Sequence, residues 1–160
     1  MPVGNNEIKV ILSSNMDVDI AYQDNLISDT VLIQFPEYTF SEARSRAYGL
    51  TIQCEFGEEG LINRERLQSK GMKISESSEY LLCRHDSQKN TLDPFQKEMS
   101  KYQLASHIIH LKVLKERVNI WQDFENSKIS LSDARIENKI IESSLENRLN
   151  KKFNELRRQY

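Results

Sequence analysis

The chain is poor in the residues that advertise chemistry. Among its 160 residues are only two cysteines, three histidines and one tryptophan. Cys54 and Cys83 stand far apart and belong to no C-x-x-C, so their spacing encodes neither a disulfide framework nor a zinc knuckle. No N-x-Ser/Thr acceptor occurs. Together these absences favour a reducing, cytoplasmic setting, with a single Cys54–Cys83 disulfide as the alternative. No run approaches the roughly 18 apolar residues that span a bilayer, and residues 1–7 lack the basic and apolar regions of a signal peptide. A soluble chain without a membrane partner is expected. Five glycines and three prolines are too few for a linker-rich protein. A Walker loop, a G-x-G-x-x-G turn and a G-x-S-x-G elbow are all missing, so no motif calls for a cofactor.

Charge is what the sequence has in quantity. Charged residues make up 29% and hydrophobic residues 38%, which predicts a modest core and much solvated helix surface. The net charge of -2 conceals an uneven distribution. Residues 1–93 carry 9 Lys/Arg against 15 Asp/Glu, whereas residues 94–160 carry 13 against 9. The acidic and basic parts could attract each other or address different partners.

Periodicity predicts an α+β fold: a small, mostly antiparallel sheet over about residues 7–90, followed by two long helices over 91–160. Strands are expected at Glu7–Ser13, Val18–Tyr22, Val31–Phe35, Leu50–Phe56 and Tyr80–His85. In the fourth, Leu50, Ile52, Cys54 and Phe56 alternate with Thr51, Gln53 and Glu55, the pattern of a half-buried strand. Short helices are expected at Ser41–Tyr48, closed by Gly49, and at Leu61–Lys70, stopped by Gly71. Ser75–Glu79 reads as a loop.

From Pro94 to about Phe124 the apolar residues fall into two adjacent rows. One contains Leu104, Ile108, Leu111, Leu114, Val118 and Trp121; the other contains Tyr102, Ala105, Ile109 and Val113. This predicts a wide, largely buried helix face. Ser130 and Asp133 then suggest a capped start for a last helix over about 131–160. Its apolar positions Ile141, Leu145, Leu149, Phe153 and Leu156 form a narrow seam suited to one or two neighbouring helices. Asp133–Glu137, Arg135–Lys139, Glu142–Glu146 and Arg148–Lys152 are like-charge pairs at i,i+4, each unfavourable in an isolated helix. Their opposite charges are expected on another surface: the preceding helix or another copy of the chain.

Chemical sites are thinly indicated. His107 and His110 can share a helix face, but Lys112 and Lys115 follow where further metal ligands would be wanted, so packing or boundary roles fit better. Cys83 and His85, with Cys54, could outline a zinc or nucleophile site, although no fourth ligand and no surrounding signature accompany them. Arg148, Lys151, Lys152, Arg157 and Arg158 cluster near the C-terminus and could contact nucleic-acid phosphates. The reading favoured overall is a non-catalytic subunit, adaptor or chaperone. It would bind a protein partner or itself through Ile141, Leu145, Leu149, Phe153 and Leu156 of the last helix. The alternatives are a nucleic-acid accessory protein using the basic helix end, and an enzyme with a site near Cys54, Cys83 and His85.

Overall fold

A computed structural model describes residues 39–158. These form five helices: α1 (Phe40–Phe56), α2 (Glu58–Gln68), α3 (Ser78–Leu92), α4 (Lys101–Glu125) and α5 (Leu131–Arg157). Two 3-10 segments, Ile74–Glu76 and Asp93–Glu98, join α2 to α3 and α3 to α4. No strand occurs among the described residues. Over these residues the expected α+β fold is therefore corrected to a helical one. The expected strands at 7–13, 18–22 and 31–35 lie outside the described residues.

Residues 50–56 and 80–85 are helical, and the physical reason is visible in α1. Its buried residues are Ala43, Ala47 and Cys54, whereas Tyr48, Ile52 and Phe56 are exposed. An inner row containing Cys54 and an outer row containing Ile52 and Phe56 are offset by two residues. Read linearly, the two rows imitate the alternation of a strand, although each row repeats at helical spacing. Gly49 does not end α1, which runs on through it to Phe56. The break comes at Gly57, where an added Cβ would lie 2.6 Å from the Gln53 carbonyl oxygen. α2 then stops close to Gly71, whose φ of +71° suits glycine and strains other residues.

The stretch Ser75–Glu79 is ordered structure rather than a loop. The Glu76 carboxylate accepts from the Lys73 backbone N–H at 2.9 Å, and the Ser77 hydroxyl accepts from the Tyr80 N–H as the N-cap of α3. Both Glu76 and Ser77 are buried.

α3 packs on both α1 and α4, so the helices on either side of residue 90 form one unit. α4 starts at Lys101 rather than beside Pro94, with Ser100 and Gln103 completing a capping box. Its buried face includes Val113, Leu114, Val118 and Trp121, but also His107 and Arg117. Ile108, which the sequence places on the buried face, is exposed. Trp121 is fully buried, packs edge-on against Phe124 and anchors a cluster with Leu81, Val118 and Ala134. A short turn then reverses the chain. Ser127 takes φ +63° within it, and Ser130 caps α5 by accepting from the Asp133 N–H at 3.0 Å.

Candidate functional site

The seam of α5 is engaged within the chain. The short turn after Glu125 folds α5 back along α4, as a brief helix–helix connection requires. Leu156 is buried, and Ile141, Leu145, Leu149 and Phe153 are half-buried. Ile141 packs against the core cluster, and Phe153 meets Tyr102 edge-to-face, with ring centroids 5.5 Å apart. The five residues first read as a partner-binding seam thus lie on the α5 of an intramolecular hairpin.

The charges of α5 also find opposites inside the chain. Arg148 forks onto Glu116 of α4 at 2.7 and 3.1 Å. Arg135 does the same to Glu76 at 2.7 and 3.1 Å. Glu142 lies 3.4 Å from Arg117. Asn138 accepts from both Arg117 Nε, at 2.9 Å, and Trp121 Nε1, at 3.2 Å. Each of the last three like-charge pairs on α5 therefore has one member neutralised from outside the helix. The Arg148 fork holds the Glu116 carboxyl below its ordinary range, against a smaller opposing effect of burial. Burial pushes Glu76 up, but hydrogen bonds from Arg135 and the Lys73 N–H outweigh it and leave the group lowered. Burial also depresses the Arg117 guanidinium, which Glu142 partly restores. At the basic end, Lys151, Lys152, Arg157 and Arg158 are exposed, while Arg148 is tied to Glu116.

Cys54 and Cys83 are joined in a disulfide that ties α1 to α3, with Cα atoms 5.9 Å apart. In this oxidised form neither sulfur is a thiolate able to attack or ligate. His85 does not complete a site with them; its ring pairs with Asp86 at 2.9 Å. Among the described residues no three His, Cys, Asp or Glu side chains gather as metal ligands would.

His107 and His110 have a more specific setting than spacing alone suggests. Both line a cleft of about 360 Å³ together with Arg44, Tyr102, Phe153 and Gln88. His107 Nε2 donates to Asp93 Oδ1 at 2.7 Å. Asp93 also receives Lys89 at 2.6 Å. Burial raises the Asp93 carboxyl, and the hydrogen bonds from Lys89 and His107 lower it by more. His110 Nδ1 donates to the Ser106 carbonyl at 2.8 Å. The part-buried His107–Asp93 contact pins α4 to the end of α3, a stitch that the sequence does not reveal because the partners are 14 residues apart on different elements.

The feature missed from sequence lies on α1. Tyr48, Ile52 and Phe56 are exposed by 70%, 40% and 58%. At 100° per residue they share one stripe with Ser41, Ser45 and Gly49, opposite the buried Ala43, Ala47 and Cys54. No charge interrupts this stripe. It is flanked by Arg44, whose guanidinium lies 5.6 Å from the Phe40 ring centre, and by Glu55, held by Arg64 at 2.5 Å. α2 begins two residues after Phe56 and exposes Leu61 and Ile62. The available signal was the i, i+4, i+8 spacing of three large apolar residues, which the apparent strand alternation concealed. Comparison with protein-family models, with curated proteins and with solved structures found no match to this chain.

Proposed function

We propose that this chain is a non-catalytic assembly protein, a helical module that receives an amphipathic helix of a protein partner along the outer face of α1. The observation that carries this reading is the exposed, uncharged row Tyr48, Ile52 and Phe56 on a helix whose opposite face is buried. Large apolar residues repeating at helical spacing are the usual anchors of helix–helix recognition. The largest exposed apolar patch of a monomer is often an interaction surface. The contact surface is thereby moved from α5, whose seam is engaged with α4, to α1.

The test uses the full chain with Tyr48, Ile52 and Phe56 replaced together by Ser. Helical circular dichroism should be unchanged and the melting temperature should stay within a few degrees, while binding of an apolar dye falls. Loss of the helical signal would identify the row as internal packing and overturn the reading. A second reading, contact with nucleic acid, is favoured by the exposed Lys151, Lys152, Arg157 and Arg158. It requires binding that weakens steeply with salt, and absence of a gel shift at low salt would end it.

A further inference from the structure

We infer that the helix received by α1 is the α1 of a second copy of this chain, packed antiparallel about a two-fold axis between Tyr48 and Gly49. The inference rests on the reading of the outer face of α1 as a contact surface. It adds the identity and direction of the partner.

The first support is the order of side-chain sizes along the stripe. Ser41, Ser45 and Gly49 occupy its N-terminal part, with Tyr48, Ile52 and Phe56 beside and beyond them. Inverting the helix about the Tyr48–Gly49 midpoint places Phe56 opposite Ser41, Ile52 opposite Ser45 and Tyr48 opposite Gly49. Every large side chain then meets a small one, as an isologous contact between identical surfaces requires. A parallel, in-register pair would set Phe56 on Phe56 and Ser41 on Ser41, crowding one end and leaving the other empty.

The second support is charge. Arg44 and Glu55 border the same flank of the stripe, and in an antiparallel pair equivalent flanks face each other. The same inversion sets each Arg44 opposite Gln53 of the other copy, two residues (about 3 Å along the helix) from Glu55 on the same flank, twice by symmetry. Among the described residues Arg44 has no ion pair of its own, and only Oε2 of Glu55 is taken by Arg64.

The third support is Gly49. It sits in the interior of an exposed helix face, where glycine lowers helix stability. Among the described residues nothing demands it, because an added Cβ would meet no atom within 4 Å. A close backbone approach from outside supplies the missing reason. α1 has 17 residues, about 25 Å of helix, so the contact lies at the small end of specific interfaces and should form reversibly with concentration.

The experiment is sedimentation equilibrium of the full chain over rising concentration, with circular dichroism confirming that each variant is folded. The wild-type mass should climb from 18.7 kDa towards twice that value. Arg44→Glu or Glu55→Arg alone should weaken the dimer about tenfold, and the double reversal should restore it to within about threefold. Gly49→Leu should separate two effects, raising the melting temperature of the monomer while weakening the dimer more than tenfold. A monomer at every concentration overturns the inference, as does a double reversal that fails to rescue or a Gly49→Leu chain that associates more tightly. If the chain stays monomeric while the triple Ser variant remains folded with reduced dye binding, the second copy is excluded but α1 as a contact surface stands.

Discussion

The α4–α5 hairpin and the α1–α3 pair solve the same problem with different materials. Both are antiparallel contacts. In the hairpin Lys101 reaches the Leu156 carbonyl, while Arg117 meets Asn138 nearer the turn; in the pair, Cys54 is bonded to Cys83, while Phe40 stacks on Phe95 just beyond the end of α3. The hairpin is joined by large side chains and by charged groups that cross between helices. The pair uses small residues, Ala43 and Ala47, and one covalent bond. The hairpin leaves Ile108, Ile136 and Ile140 exposed among its large apolar residues. A helix held through alanines and a disulfide keeps its large apolar residues for the opposite face. That difference is why we propose the contact surface on α1.

The comparison can be broken most severely at Trp121. Trp121→Ala removes a fully buried ring and its bond to Asn138, which should cost about 3–5 kcal/mol. Thermal melting should show a fall of the order of 10 °C or more, and a small change would mean that the hairpin does not depend on its packed centre. The α1–α3 pair should respond instead to reduction. The disulfide closes a loop across a separation of 29 residues, worth about 3–4 kcal/mol in the chain-entropy description. Melting with and without reductant should reveal that loss in the wild type and none in a Cys54→Ser, Cys83→Ser chain.

The smallest effect is pH. Glu116 and Glu76 have folded values lowered from 4.5, and Asp93 from 3.8. A depressed carboxylate contributes stability that is present above its unfolded value and is lost as pH falls through its folded value. Acid melts should therefore decline below about pH 4.5, and Glu116→Gln should flatten that decline by removing one such group. An unchanged acid profile in this variant would show that the Arg148 fork is energetically silent.

The two C-terminal helices were legible because each carries a long run of apolar residues at one period, although the start of α4 was read at Pro94, which lies in the preceding 3-10 segment. Ser130 and Asp133 predicted the cap of α5, and the like-charge pairs correctly implied opposite charges off the helix. Residues 40–92 were not legible in the same way. α1 is read as a strand wherever its inner and outer rows interleave, and only tertiary packing shows that Ile52 points away from the core. The first turn of α3 carries Tyr80 and Leu81, both buried, whose side chains do not distinguish helix from strand over so short a run. The His107–Asp93 and Arg135–Glu76 contacts join distant segments and leave no local pattern.

The covalent tie between α1 and α3 also changes what cutting the chain can do. The loop it closes contains the whole of α2 and the exposed bend at Ser69–Gly71. A protease that nicks this bend would leave two polypeptides held as one molecule, separable only by a reducing agent. The pieces would stay at high effective concentration, so α1 and α3 could re-form their contact after the peptide bond is lost.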